Sequence, residues 1–240
     1  MEPLRQLADN QVLAALASSD FERLAPHAVR VMLAQNFVAN EADTEVAMVY
    51  FPVGAVLSVI SLMENGQGIE TCTVGRENAY GLAAALGSTW APERVICQVA
   101  GPSFQIPLAR VKAAAAASPG LRELFMRFVQ AGHAQTAQSV ACNVTHSLEA
   151  RLCRWLLMSQ DRAGLRILPL THEFIGFMLG VQRSTVTIAA RSLQAAGLIR
   201  YKRGNIEILD REGLEAGACE CYAVVNHKHG RLLGRSIAKS

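Results

Sequence analysis

LTHEFIGFMLGVQRSTVTIAARSLQAAGLIRYKRGNIEIL, residues 170–209, holds the chain's clearest succession of short elements. A first helix is predicted to start at Thr171, whose hydroxyl can accept from a free backbone N–H, with Glu173 adding negative charge where the helix dipole favours it. Phe174, Ile175, Met178 and Leu179 supply its apolar face, and Gly180 offers the left-handed conformation that lets the chain reverse within a few residues. A second helix follows over about 182–196, with Val186, Ala189, Ala190 and Leu193 at helical spacing and Arg183, Thr187 and Arg191 on the opposite face. Gly197 is placed to end it. Beyond it, residues 200–208 read as a β-hairpin: Arg203-Gly204-Asn205 has turn chemistry, and Ile206 and Ile208 alternate with Glu207.

Helix, tight turn, helix and hairpin in that order have the physical logic of a winged helix-turn-helix. One helix is narrow enough for the DNA major groove, a second props it from behind, and a basic hairpin reaches the phosphates.

The rest of the chain agrees with such a reader. With 51% hydrophobic and 18% charged residues over 240 positions the chain is globular and can bury a sizeable core. Its net charge of +3 hides an asymmetry: residues 1–150 hold 9 Lys/Arg against 13 Asp/Glu, whereas residues 151–240 hold 14 against 7. The basic half is the one that contains the helix-turn-helix. Met1-Glu-Pro-Leu-Arg lacks the apolar run of a signal peptide. Val46 to Met63 is free of charge, but Pro52, Gly54 and its β-branched content argue for two buried strands rather than a membrane span, and no membrane partner is expected. The six cysteines, 72, 97, 142, 153, 219 and 221, include no Cys-x-x-Cys pair, which favours reduced thiols and a cytoplasmic location.

Taken in order, residues 1–27 look helical, with Leu4, Leu7, Val12, Leu13, Leu16, Phe21 and Leu24 as the apolar set and Asp20 able to cap a second short helix. Residues 29–108 switch to short β segments separated by turn signals, the rhythm of a small antiparallel barrel or sandwich; a closed barrel of this kind has room for one small ligand or for side chains alone. A single helix of about 22 residues, roughly 33 Å long, is predicted from Leu121 to Cys142. Leu121, Leu124, Phe125, Phe128, Gly132, Gln135 and Ser139 on its inner face are expected to meet a second copy of the chain, the alternative being a helix packed on its own barrel. After a break near 143–147 a helix runs over about 148–161, Asp210 to Tyr222 forms a further helix, and residues 226–240 are expected to be a basic flexible tail.

This order resembles the Crp/Fnr family of bacterial transcription regulators over nearly the whole chain. The resemblance rests on Val49-Tyr50-Phe51-Pro52, on Val74-Gly75-Arg76-Glu77 and, most specifically, on the helix-turn-helix from Leu170 to Ile199. It implies an α+β fold: an N-terminal antiparallel β-roll, cupin-like and cyclic-nucleotide-binding-like, then a long dimerisation helix, then a C-terminal winged helix-turn-helix. The corresponding segments are 1–118, 119–146 and 147–225, followed by the tail. It also implies a homodimer that binds double-stranded DNA at a near-palindromic operator and answers a signal received in the roll, with RNA polymerase as a further partner.

Carried over by position, Arg183 matches the arginine of the cAMP-receptor branch and can pair with guanine O6 and N7. Ser184 and Ile188 depart from the Glu and Arg of the best-known branches, so a different half-site is expected. Gln182, Thr185 and Thr187 are supplementary contacts, Thr171 and Arg191 complete the DNA-facing set, and Arg200, Lys202 and Arg203 on the wing position the duplex by charge. The effector pocket should involve Gly81, Leu82, Arg94 and Thr136. Leu82 replaces the ribose-binding carboxylate after Gly81, and Val95 and Ile96 follow Arg94 where Ser or Thr and Ala hold a cyclic phosphate. The pocket therefore reads as repurposed, its effector unknown. The N-terminal cysteines of the iron–sulfur Fnr branch have no counterpart, the first being Cys72.

No cofactor and no metal are expected. Cys219 and Cys221 form a Cys-x-Cys pair, but in sequence only His227 and His229 stand near as further ligands. His133 and His146 read as solvated or hydrogen-bonded rather than as haem ligands. No nucleophile, paired-carboxylate or phosphate-loop constellation points to an enzyme. The residues leave one alternative to a DNA reader: a ligand-binding sensor that works mainly through protein–protein contacts.

Overall fold

The computed structural model describes residues 7–233; Leu4 and residues 234–240 of the expected tail lie outside them. Asn10 caps α1 (Gln11–Ala14) by accepting from the Val12 and Leu13 N–H groups, and its amide reaches the Pro52 and Asn78 carbonyls. α2 (Ser18–Leu24) starts ahead of Asp20, which is therefore not its cap; buried inside the first turn, Asp20 accepts from Ser118.

The β-roll follows as β1 (Val29–Leu33), β2 (Val38–Asn40), β3 (Thr44–Glu45), β4 (Met48–Pro52), β5 (Val56–Leu62), β6 (Gly68–Val74), β7 (Trp90–Ala91), β8 (Arg94–Val99) and β9 (Gly101–Pro107). All pairings are antiparallel, in sheets ordered β1-β9-β4 and β2-β8-β5-β6 with a β3-β7 pair. The uncharged stretch Val46 to Met63 is thus β4 and β5, and no helix among the described residues is long and apolar enough to cross a membrane. A short helix, α3 (Leu82–Leu86), interrupts the roll. Sequence reading passed over α4 (Leu108–Ala117), although its alanine run is the strongest helix-forming composition in the chain.

α5 (Pro119–Thr145) is longer than expected, 27 residues, or about 40 Å at the usual rise. Ser118 accepts from the Leu121 N–H and Pro119 fills the first helical position, where its missing N–H is harmless. The break falls at His146 and Ser147, and Ser147 caps α6 (Leu148–Ala163). Then come β10 (Ile167–Leu168), α7 (His172–Leu179), α8 (Arg183–Ala195), β11 (Ile199–Lys202), β12 (Asn205–Ile208), α9 (Arg211–Gly217) and α10 (Cys221–Leu233).

The last of these overturns the expected flexible tail over 226–233. Cys221, Val225 and Gly230 are buried one to one and a half turns apart along α10, and Leu233 packs against the core that contains Leu121, Phe125 and Phe128 of α5. Counting Lys228 and Arg231 as solvated charge hid a helical face that the chain buries. The single helix expected from Asp210 to Tyr222 likewise divides: α9 ends at Gly217 and α10 starts only at Cys221.

The winged domain docks on the roll. Val56, Ile60 and Val99 share one core with Trp155, Leu156 and Met178. Arg162 on α6 donates from Nε to Glu77 at 2.8 Å and from Nη2 to Gln135 at 3.0 Å, while Arg76 Nε donates to the Arg162 carbonyl. Trp155 Nε1 donates to Glu70 on β6 at 2.8 Å, and burial raises the Glu70 carboxyl to about 7. A carboxyl raised in this way holds its proton more tightly in the folded protein than in the unfolded chain. Stability is therefore lost as pH climbs from about 4.5 through about 7. Glu70→Gln, which keeps an acceptor for Trp155 and cannot ionise, is expected to remove this part of the pH dependence, so that the urea midpoint of the variant gains on the wild type across that window.

Candidate nucleic-acid interface

The reading surface is built locally. Thr171 caps α7 by accepting from the Phe174 N–H at 3.1 Å. Gly180 ends it with φ +66°, a conformation that costs a glycine nothing. The turn delivers Gln182 as the residue before α8, and Val186, Ala189, Ala190 and Leu193 go inward. Arg183, Ser184, Thr185, Ile188 and Arg191 are left exposed on the outer face, Ile188 at 65%. At the wing, Lys202 pairs with Asn205 across a two-residue turn in which Arg203 (φ +49°) and Gly204 (φ +78°) are both left-handed, the type I′ geometry that matches strand twist.

Charge separates the cations into two sets. Arg200 pairs with Glu207 at 3.0 Å and Arg166 with the same carboxylate at 3.3 Å, so much of their charge is met within the protein. Arg183, Arg191, Lys202 and Arg203 have no carboxylate partner among the described residues. Arg200 is thus the weakest of the three wing contacts expected from the sequence.

Thr187 has a different position from the one its sequence neighbours suggested. It is half-buried, donates to the Arg183 carbonyl at 3.0 Å and lies 3.0 Å from His172 Nδ1. Its hydroxyl holds the start of α8 in place and faces the protein. His172 also stacks on Tyr201, ring centroids 3.9 Å apart, and the Tyr201 N–H donates to Gln194 Oε1 at 2.9 Å. Burial, with Arg183 and Arg191 close by, lowers the His172 pKa, so at neutral pH it is an uncharged spacer between α8 and the wing. His172, Tyr201 and Gln194 were missed in the sequence. A His-Glu pair at a helix start carries no signal of a stacking partner some thirty positions on. Between them and the two arginines lies a polar cleft of about 310 Å³.

Residues 150–216 match the model of the Crp-like helix-turn-helix domain. Solved structures extend the likeness to the roll and the long helix. A transcriptional regulator of the Crp/Fnr family from Eubacterium rectale superposes with TM-score 0.68 at 18% identity, over 87% of this chain and 98% of that one. The chain has the Crp/Fnr fold. FixK2 from Bradyrhizobium japonicum gives 0.67 at 15%, over 80% and 98% of the two chains. The c-di-GMP responsive regulator CLP from Xanthomonas campestris gives 0.64 at 13%, over 80% and 99%. No curated protein matches the sequence.

In this Crp/Fnr roll the expected effector residues are divided. Gly81 and Leu82 do line a cavity of about 420 Å³ between the roll and α5, together with Tyr80, Trp90, Phe128 and Gly132. Arg94 does not: it turns outward to Glu41, 3.0 Å away. Thr136 is also off the lining, its hydroxyl returned to the Gly132 carbonyl of its own helix. No arginine or lysine lines the cavity among the described residues, so no side-chain cation there meets a phosphate. Tyr80, one of its lining residues, carries a buried hydroxyl without a hydrogen-bond partner.

The expected dimer face needs a larger correction. Leu121, Phe125 and Phe128 are buried in the chain's own core with Leu124 packed against them, and Gly132 is half-buried beside the roll. Gln135 donates to Thr73 at 2.9 Å and Ser139 is buried as well. Helical periodicity identifies a face; here the roll and α10 claim it first.

Proposed function

We propose that the chain is a homodimeric, sequence-specific DNA-binding transcription regulator of the Crp/Fnr type that works in the cytoplasm. The observation that carries this reading is the outer face of α8: exposed Arg183, Ser184, Thr185, Ile188 and Arg191, flanked by Lys202 and Arg203, with all four of these cations unmatched by any described carboxylate. Arg183 at the helix start reads a guanine edge, Ile188 one turn later offers apolar contact to a thymine methyl, and the wing cations bind phosphate. Arg94 pairs with Glu41 on the surface and lies off the cavity lining, so no cyclic nucleotide is assigned to it and the signal is left unidentified.

The second copy meets α5 on its outward stripe. Met126, Gln130, His133, Ala137, Val140 and Val144 are exposed and alternate at steps of four and three, the spacing of a coiled-coil seam.

Selection from random duplexes with the full-length protein is expected to return an enriched dyad, bound at a salt concentration that releases random DNA. Arg183→Ala should then cost about 1 to 3 kcal/mol at one base pair of each half-site and relax the preference there. No enriched dyad, or an Arg183→Ala variant with unchanged function, would instead favour a sensor that uses this surface for protein contacts.

A further inference from the structure

The fold brings four soft ligands together where α5 ends. Cys142 and His146 lie one helical turn apart, locked by the His146 N–H donating to the Cys142 carbonyl at 3.1 Å. Cys219 comes from the irregular link between α9 and α10, and Cys221 opens α10. The Cys142 and Cys219 sulfurs are 3.5 Å apart, Cys221 Sγ is 3.6 Å from His146 Nδ1, and all four ligand atoms lie within 4.8 Å of one another. Ligands on a tetrahedral zinc at its usual bond lengths have S···S edges of about 3.8 Å and S···N edges of about 3.6 Å.

We propose that Cys142, His146, Cys219 and Cys221 form a tetrahedral Cys3His site for one zinc-class ion, clamping the end of the long helix to the C-terminal segment of the winged domain.

The surroundings fit an ion with three thiolates. Arg151 and Arg154 are buried within electrostatic reach of Cys142; Arg154 also lies within reach of the Glu70 carboxyl, but neither arginine has a carboxylate ion pair among the described residues and the Nε of each is unpartnered. Buried cations need an opposite charge, and a metal with three thiolates carries a net negative one. Gln138 Nε2 donates to Cys221 Sγ at 3.1 Å, and Lys228 fixes that amide by donating to its oxygen at 2.9 Å. Glu220 stands 4.0 Å from His146 Nε2, a nearby carboxylate that a small shift would bring within reach of its N–H once Nδ1 binds metal. The Thr145 hydroxyl, 3.1 Å from Nδ1, gives its own proton to the Ala141 carbonyl and so yields that nitrogen to the ion. Loading releases three thiol protons and leaves the imidazole neutral, protonated at Nε2. Without an ion, the buried set here is three cysteines with Ala150 packed on them, a small apolar core for a joint between domains. A soft sulfur-rich tetrahedron selects zinc or a similar ion, and sulfurs this close leave no room for an iron–sulfur cluster.

The inference is independent of DNA reading. Full-length protein, reduced and stripped with a chelator, would be titrated anaerobically with cobalt(II) as the probe. One cobalt per chain is expected, with intense tetrahedral visible bands and thiolate charge transfer, displaced by equimolar zinc. Zinc should protect three thiols per chain from alkylation. Cys219→Ser should weaken the charge transfer, whereas Cys153→Ser, a buried thiol outside the set, should leave the titration unchanged. Weak octahedral bands, no saturation at one per chain, a spectrum indifferent to Cys219→Ser, or a Cys142–Cys219 disulfide whose reduction gives no metal binding would each overturn the site. Should Cys219→Ser fail to fold, the wild-type spectrum and the protected-thiol count still decide.

Discussion

Arg162→Met is expected to lower the stability of the folded chain by about 3 to 5 kcal/mol, the usual cost of removing one partner of a buried pair. Arg162 is 5% exposed and uses all three guanidinium nitrogens: Nε on Glu77, Nη1 on the Met158 carbonyl and Nη2 on Gln135. Methionine fills much of the space but removes the ion pair to the Glu77 carboxylate, whose Oε2 is already without a hydrogen-bond partner. At about 2 to 4 °C per kcal/mol for a chain of this size the melting temperature should fall by about 10 °C. Glu77→Gln in the same chain should recover a large part of the loss, because two neutral partners of similar shape no longer strand a charge. The double-mutant cycle measures the coupling directly. A loss below about 1 kcal/mol would mean that the pair is solvated and that the roll and the winged domain are held by apolar contact alone.

That pair also marks where sequence reading stops. Thr171, Gly180, Gly197 and the Arg203-Gly204 turn were legible because each works through backbone groups a few residues away, and caps and positive-φ turns demand particular residue types. The strands of the roll were legible from β-branched runs cut by turn signals. The partner of an amphipathic face was not. The inner face of α5 announced its apolar residues without announcing that the roll would cover them, and α10 announced its charges more loudly than its buried stripe. Arg94 lies in the expected stretch, but its direction depends on Glu41, a loop residue with no motif of its own. Gly75-Arg76-Glu77 was recognised as a family turn, whereas its role, receiving Arg162 from 85 positions away, exists only in the folded chain. The Cys3His cluster is the same case: Cys219 and Cys221 looked short of ligands because Cys142 and His146 are distant in sequence and adjacent in space.

The corrected position of α5 gives the second large expectation. With its inner face committed to the roll, the proposed second copy is expected on the outward stripe, where Val140 is 61% and Val144 84% exposed. Glutamate at both positions should cost the isolated fold little, because neither side chain touches its core. In a parallel two-helix seam the same substitutions set carboxylates against carboxylates in the contact layer, where desolvated like charges are strongly repulsive. Val140→Glu with Val144→Glu is therefore expected to sediment as a monomer with an unchanged far-ultraviolet circular dichroism spectrum. Its affinity for a full palindrome should fall by a factor of about 10² to 10⁴, the advantage that linking two half-site readers supplies, while its affinity for a single half-site stays as it was. If this double variant still sediments as a dimer, the seam is wrong and the two-fold contact lies elsewhere. A monomer that keeps its palindrome affinity would break the link between dimerisation and reading, since two independent α8 helices gain nothing from a dyad.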